Sequence, residues 1–144
     1  MIDPRANQVL NRLLVVLSRS MPMYLSHAAP WVSYNGDGTR EALESLVAGQ
    51  KRSIERLTQL LQSRRHTIDP GEFPMTFTDL HDLSLGFLLH RLVEHQRHDV
   101  HAIERCVGQL HDDVEGHDLA QEILADARAH LQKLESLTAH AAAK

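Results

Sequence analysis

Apolar residues recur every three or four positions along four stretches of the chain, which is the spacing of one face of an α-helix. The first stretch shows this spacing at Leu10, Leu13 and Leu17, and the second shows it at Ile54, Leu57 and Leu61. The pattern predicts an all-α protein with helices at about residues 4–29, 39–64, 78–110 and 116–140.

The connections between these predicted helices differ in length. A turn at 34–38 links the first two helices, whereas residues 66–77 separate the second from the third. This second segment holds Pro70, Gly71 and Pro74, which prevent a continuous helix. At roughly 3.3 Å per residue it could extend about 40 Å, the length of a helix bundle. The sequence therefore predicts a single domain, residues 1–144, in which two short-linked helix pairs are joined by one long connection.

Three segments resemble the ferritin-like, bacterioferritin-type family. They are LNRLLVVLSRSMPMYLSHAAPW from residue 10, GQKRSIERLTQLL from residue 49 and ILADARAHLQKLESL from residue 123. The resemblance covers most of the chain through its periodic apolar positions. It implies a ferritin-like four-helix bundle with a long crossover between helices two and three.

The same resemblance implies where a pair of metal ions would be bound. In that family, helices one and three each supply a glutamate, and helices two and four each supply a Glu-x-x-His pair. The matching positions here hold Leu17, Gln50 with Ser53, Leu92, and Ala127 with His130. Because one histidine alone remains, the anionic charge that would balance two divalent ions in an apolar core is missing.

Because most of its ligands are missing, this degenerate di-iron site argues against an oxidase that uses a pair of iron ions. It favours a non-catalytic binding or scaffold protein, which binds either another protein or a small apolar ligand in the vacated centre. The sequence has no glycine-rich phosphate-binding loop and no recognisable nucleophile motif, so it gives no sign of a nucleotide cofactor.

Eleven histidines keep a metal-dependent function open as the alternative. His95 and Asp99, four residues apart within or beside the apolar stripe of helix three, offer a nitrogen and a carboxylate to a metal; otherwise they form a hydrogen-bond network. His130 is either a further ligand or a structural histidine bonded to Gln50 or Ser53. On this alternative, His130, His95 and Asp99 bind iron, manganese or zinc in iron handling or oxidative-stress defence.

The other histidines of helix three allow two further interpretations. His90, His98 and His101 share one side of the helix, roughly opposite its apolar residues, so we expect that side to face solvent. Otherwise these histidines form a weak surface metal site or a contact between subunits. A DinB-like enzyme, in which a bundle holds one metal through three histidines, is a third possible function. Its candidate ligands are His27, His90, His95, His98 and His130.

Composition and charge narrow the classes of partner. The 144 residues carry a formal net charge of -4 and have a pI of about 6.2, which argues against a nucleic-acid partner. The longest apolar run, 13–17, is far shorter than the roughly 20 residues that span a bilayer. With one cysteine and no signal-peptide pattern at its start, the sequence predicts a soluble cytoplasmic protein.

Helix one carries a second set of apolar residues to one side of its main apolar stripe. They are Val9, Val16 and Met23. A widened apolar face is typical of a helix that has a second packing partner. Because two-fold homodimers are the commonest assemblies, the sequence predicts a homodimer that forms through helix one.

Overall fold

The computed structural model describes residues 4–28, 38–82 and 85–142, which form five α-helices and one 3₁₀-helix. The α-helices are α1 (Pro4–Ser18), α2 (Met21–Ala28), α3 (Thr39–Ser63), α4 (Leu85–Gly108) and α5 (Val114–Ala142). The 3₁₀-helix, Met75–Asp82, precedes α4. The all-helical prediction is confirmed for these residues, which contain no strand. None of the described helices has the length and apolar character needed to cross a membrane.

The first predicted helix, 4–29, is divided into α1 and α2 at Arg19 and Ser20. Pro22 explains the break, because it has no backbone N–H to donate and its ring would clash with the carbonyl of residue 18 in a continuous helix. Ser20 then becomes the N-cap of α2. Its Oγ accepts a hydrogen bond from the Met23 N–H at 3.3 Å, and its carbonyl accepts one from the Tyr24 N–H at 3.0 Å.

The remaining helices lie near their predicted bounds except at the start of the third. The bounds of α3 and α5 differ by no more than two residues from the predicted 39–64 and 116–140. The third helix, predicted at 78–110, begins at Leu85 because the residues before it form the 3₁₀-helix. Of the turn predicted at 34–38, Gly38 alone is described; it has a left-handed φ of 81° and precedes α3.

Polar contacts fix how α3 and α4 run relative to α1. Arg64, directly after α3, donates a hydrogen bond of 3.1 Å to Asn7 near the start of α1. Arg12 of α1 donates one of 3.1 Å to Gln109, directly after α4. Both α3 and α4 therefore end beside the beginning of α1, so each is antiparallel to it.

Two contacts along α4 and α5 give the direction of the last helix. Arg97 lies 3.5 Å from Glu135, and Arg128 donates a hydrogen bond of 3.3 Å to Glu104. Since the later residue of α4 contacts the earlier residue of α5, these helices are antiparallel. α3 and α4 consequently run in one direction, whereas α1 and α5 run in the other.

Residues 66–74 connect the parallel helices α3 and α4 by following α1. The N–H of Asp69 donates to Asn11 at 2.9 Å, and the side chain of Asn11 donates to the Asp69 carbonyl at 3.0 Å. Farther along, the Phe73 ring packs edge-on against Tyr24, with the ring centroids 5.4 Å apart. The connecting segment therefore passes from the middle of α1 to α2.

Two clusters of buried apolar side chains form the core. The first joins α1, the end of α3, the later part of α4 and the first half of α5. The second joins α2, the first part of α3 and the first part of α4. Ile54 and Leu131 pack against both. Four buried polar side chains lie along the chain between the residues of the two clusters, and we call them the polar layer: Ser20, Gln50, Ser53 and Gln96.

The apolar residues that predicted a dimer through helix one are largely covered within the single chain. Val9 is 7% exposed and Met23 is 5% exposed, and Val16 is half-buried against the first cluster. The free apolar surface on this helix is thus smaller than the sequence indicated. The homodimer stays a prediction.

Candidate functional site

The positions that the resemblance assigns to metal ligands lie close to the polar layer. On α4, however, the residue that reaches this centre is Gln96, whereas Leu92 is fully buried one helical turn earlier in the second cluster. One small cavity marks the centre. Its lining includes Leu17, Gln50, Ser53, Gln96, Ala127 and His130.

This centre does not fit a pair of metal ions. The cavity has a volume of about 10 Å³, close to the space that one water molecule occupies. Asp126 and His130 are the lining residues with metal-binding side chains, and Asp126 is exposed. Among the described residues, no group of three or more His, Cys, Asp or Glu side chains could hold a metal ion. The space is also too small for the apolar ligand that the sequence indicated there.

Hydrogen bonds across the polar layer tie the helices together. Ser20 Oγ donates to Gln50 Oε1 at 2.9 Å, which links the start of α2 to α3. Gln96 Nε2 donates to the Ala127 carbonyl at 3.1 Å, which links α4 to α5. The buried Gln96 Oε1 has no partner within the described part of the chain. Buried polar groups that are paired in this way favour one helix register over others.

His130 lies against the backbone of α3 at the edge of this layer. A Cβ placed on Gly49 would be 3.0 Å from the His130 Cε1 atom, so the glycine leaves room for the imidazole. Burial lowers the pKa of His130, with Arg52 acting in the same direction and Asp126 opposing it. In the described residues, no hydrogen bond joins His130 to Gln50 or Ser53, the partners proposed from sequence.

A much larger cavity lies on the outer side of α4, and we call it the α4 cavity. Its volume is about 380 Å³, within the range of small-molecule sites. Arg91, His95 and Asp99 project toward it at intervals of four residues, the spacing of one helix side. The break between α1 and α2 forms a second wall, and the connecting segment forms a third. The full lining is Arg19, Ser20, Met21, Pro74, Phe77, Arg91, Glu94, His95, His98 and Asp99.

Two other cavities give weaker candidates. One, of about 430 Å³, borders Gly38 and thus adjoins residues 29–37, which are outside the described part. The other, of about 490 Å³, lies between α3 and α5 and is lined mostly by exposed side chains such as Gln59 and Asp118. The acidic side chains that line these two cavities are exposed, whereas Asp99 in the α4 cavity is half-buried.

Asp99 is the most unusual group of the α4 cavity. Its carboxyl is half-buried and has no hydrogen bond or ion pair with any described residue. Burial raises the pKa of Asp99 to about 7, because removing a carboxylate from water disfavours its charged form. Near neutral pH this carboxyl is therefore partly protonated and can donate as well as accept a hydrogen bond. Such a group in a cavity is a candidate for ligand binding.

His95 lies one turn before Asp99 and faces an aromatic ring. The imidazole packs edge-on against Phe77 with the ring centroids 5.3 Å apart. Its pKa is lowered first by burial and then by the nearby Arg91 and His98, while Glu94 opposes them. Burial, Arg91 and His98 thus all favour the neutral form of the imidazole.

Two guanidinium groups line the cavity without a carboxylate partner among the described residues. Arg91 is half-buried, and its Nε is buried with no hydrogen-bond partner. Arg19 donates from Nε to the Pro70 carbonyl at 3.0 Å and lies over the Phe73 ring at 4.8 Å. Six other arginines instead contact a carboxylate or amide oxygen, namely Arg12, Arg40, Arg56, Arg64, Arg97 and Arg128.

The structure separates the residues that were proposed as metal ligands from sequence. His95 and Asp99 line the α4 cavity, whereas His130 lies at the small central cavity. On the expected solvent-facing side of α4, His90 and His101 have exposed side chains. His98 is also exposed and borders the α4 cavity. The side chain of the remaining candidate, at position 27, lies outside the described part.

Sequence reasoning missed Arg91 and Arg19. Arg91 could have been found from its spacing, since it precedes His95 and Asp99 by four and eight residues. Arg19 gave no such signal, because its position depends on the break between α1 and α2 and on the path of the connecting segment.

Comparisons of the chain with models of protein families, with curated proteins and with solved structures find no match.

Proposed function

We propose that this chain is a non-catalytic, ferritin-like binding protein, and that its ligand site is the α4 cavity. The observation that carries the proposal is the half-buried Asp99 carboxyl, which lines a 380 Å³ cavity and has no partner among the described residues. Leaving a polar group partly removed from water without a hydrogen bond costs free energy that a bound ligand can offset. The ligand site is thus beside α4 and not in the former metal centre.

The ferritin-like arrangement is supported by the helix directions. α1 with α2 represents helix one, and α3, α4 and α5 represent helices two to four. Helices two and three run in parallel, which requires a long crossover, and residues 66–74 follow α1 through the Asp69–Asn11 hydrogen bonds. The bundle keeps this connectivity while its centre has become a layer of neutral polar side chains.

A binding role is favoured over a catalytic one by the chemistry of the polar layer. The groups there are hydroxyls and amides, and the hydrogen bonds Ser20–Gln50 and Gln96–Ala127 join helix to helix. Neutral amides and hydroxyls neither balance the charge of a divalent ion pair nor exchange protons near neutral pH. The layer therefore serves as structural support for the neighbouring cavity.

The ligand site is tested by a substitution that blocks the entrance of the α4 cavity. In His98→Trp a large ring replaces an exposed side chain at the edge of the cavity, whereas His101→Trp places the same ring three residues along the exposed side of α4. We expect fragments identified by ligand-observed NMR to lose at least tenfold in affinity with His98→Trp and to bind His101→Trp like the unchanged protein. Fragments that bind all three proteins equally, or no binding fragment at all, would contradict the proposal.

A metal-binding protein of iron handling or oxidative-stress defence is the second candidate. It is favoured by one observation, that His95 and Asp99 line the same cavity. Fe(II), Mn(II) and Zn(II) serve as additional ligands in the same titrations. One tightly retained equivalent per chain, lost in His95→Ala, would favour this candidate over the first.

A further inference from the structure

We propose that the α4 cavity selects a small organic carboxylate with an apolar body, the carboxylate lying at Arg91 and His95 and the apolar body against Met21, Pro74 and Phe77. This inference rests on the proposed function and adds the chemical class of the ligand. It follows from the charges, the apolar wall and the hydrogen-bonding groups of the cavity.

The charged groups of the cavity favour an anion. Arg91 and Arg19 bring two permanent positive charges, and neither contacts a carboxylate among the described residues. Of the two acidic residues in the lining, Glu94 is exposed and contacts His90 at 3.1 Å. The other, Asp99, is partly neutral because of its raised pKa. An anion at the guanidinium of Arg91 would form the charge-assisted hydrogen bonds that are missing there.

The opposite wall of the cavity is apolar. Met21 is fully buried and Phe77 is 2% exposed, and Pro74 adds the edge of the connecting segment. The exposed ring of Pro74, with Met21 and Phe77 packed behind it, offers the ligand an apolar surface. An inorganic anion would leave this surface uncovered, which is why we infer an organic carboxylate.

Asp99 adds a pH-dependent element to this selectivity. The charged or titratable groups that line the cavity with it are Arg19 from the break after α1 and Arg91, Glu94, His95 and His98 from α4. Pro74 of the connecting segment and Phe77 of the 3₁₀-helix are neutral. In its protonated form Asp99 donates a hydrogen bond to the ligand, whereas in its ionised form it repels a carboxylate. Affinity should therefore fall as the pH rises through about 7.

The test uses three probes of one shape and different charge: phenylacetate, phenylacetamide and 2-phenylethylamine. By isothermal titration at pH 6, we expect phenylacetate to bind at least tenfold more tightly than the neutral amide, and the amine to bind most weakly. Arg91→Gln should remove the preference for the carboxylate, and Arg91→Lys should keep part of it. The matched control Arg105→Gln, an exposed arginine on the same helix outside the cavity, should leave it unchanged.

The pH dependence of phenylacetate binding tests the role of Asp99. Phenylacetate is ionised at both pH 6 and pH 8, and its affinity should drop three- to tenfold over this interval because Asp99 ionises. In Asp99→Asn the side chain stays neutral, so the affinity should drop less between the two pH values than in the unchanged protein; the histidines of the cavity account for any remaining drop. A drop of the same size in this variant and in the unchanged protein would overturn the role of Asp99.

The carboxylate selectivity and the ligand site itself can be contradicted separately. If phenylacetamide or the amine binds as tightly as phenylacetate, and His98→Trp blocks that binding, the carboxylate selectivity is overturned while the ligand site stands. If no probe and no fragment binds the unchanged protein, both are overturned.

Discussion

Arg64 and Asp113 form a buried ion pair, and each makes a further hydrogen bond. Two parallel hydrogen bonds of 2.7 and 2.9 Å join the guanidinium to the carboxylate, and both side chains are 7% exposed. Arg64 also donates to Asn7 of α1, and Asp113 Oδ1 accepts the Gly116 N–H as the N-cap of α5. The pair therefore joins the start of α1, the end of α3 and the start of α5.

Removing one member of this pair should be strongly destabilising. Asp113→Ala leaves the buried guanidinium with the exposed and more distant Glu115 carboxylate, at 3.9 Å, and leaves α5 without its cap. We therefore expect a loss of about 3 kcal/mol in the free energy of unfolding. Urea unfolding at pH 7 measures this loss. Arg56→Gln is the control, because it breaks the exposed Arg56–Glu122 pair and should cost less than about 1 kcal/mol. Equal losses of unfolding free energy in the two variants would show that the buried pair contributes no more to stability than the exposed pair.

The same pair makes stability depend on pH with a defined sign. The hydrogen bonds from Arg64, together with its charge and the Gly116 N–H, hold the pKa of Asp113 below its usual value, although burial opposes them. A carboxyl whose pKa is lower in the folded state contributes stability above its unfolded pKa of about 3.9 and loses that contribution as the pH falls through the folded value. The contribution is thus complete at pH 7 and is lost in acid.

At the scale of the elements, the break between α1 and α2 positions both the polar layer and the α4 cavity. Ser20 caps α2, donates to Gln50 and lines the cavity, and Arg19 and Met21 beside it line the cavity as well. A continuous helix would carry these three residues on different sides, about 100° apart. The local break therefore turns successive residues toward one site.

Ser20→Ala tests the importance of this break for stability. The variant removes the cap of α2 and leaves the buried Gln50 Oε1 without its hydrogen bond, so we expect a loss of about 1–3 kcal/mol by urea unfolding. Ser20→Thr keeps the hydroxyl and should recover most of the loss. Ser45→Ala, at an exposed position of α3, should change stability by less than about 0.5 kcal/mol. No difference between Ser20→Ala and Ser45→Ala would mean that the hydroxyl contributes nothing to the fold.

The elements were predictable from sequence where apolar periodicity runs without interruption. α3 and α5 have long apolar faces, and their bounds differ from prediction by no more than two residues. The break after Ser18 was visible in principle from Pro22, but the apolar spacing continues across it and concealed it. The late start of α4 has a similar cause, since residues 75–82 adopt a 3₁₀-helix that the same spacing does not distinguish from an α-helix.

At the scale of the whole molecule, the connecting segment creates the candidate site. Residues 66–74 follow α1, and the chain then brings Pro74 and Phe77 against the side of α4 that carries His95. Gly71 makes this close approach possible: its φ is 66°, and a Cβ there would lie 2.7 Å from Val15 Cγ1. Without the segment, the polar residues of α4 would face open solvent.

This dependence on tertiary structure explains what the sequence predicted of the site and what it did not. His95 and Asp99 were singled out because they place polar groups beside an apolar stripe, a property of one helix. Their association with Arg19 and Phe77 depends on the path of three separate segments, which residue spacing does not encode. His130 lies apart from them for the same reason, at the centre between α3 and α5.

The methyl groups of methionine allow the most direct test of the α4 cavity as a ligand site. Met21 is fully buried and lines the cavity, whereas Met75 is 84% exposed and does not line it. In protein labelled with ¹³C at the methionine methyl groups, titration with phenylacetate and the fragment set should shift the Met21 resonance in a saturable way and leave that of Met75 unchanged. A Met21 resonance that no compound moves, or shifts confined to Met75, would contradict the account.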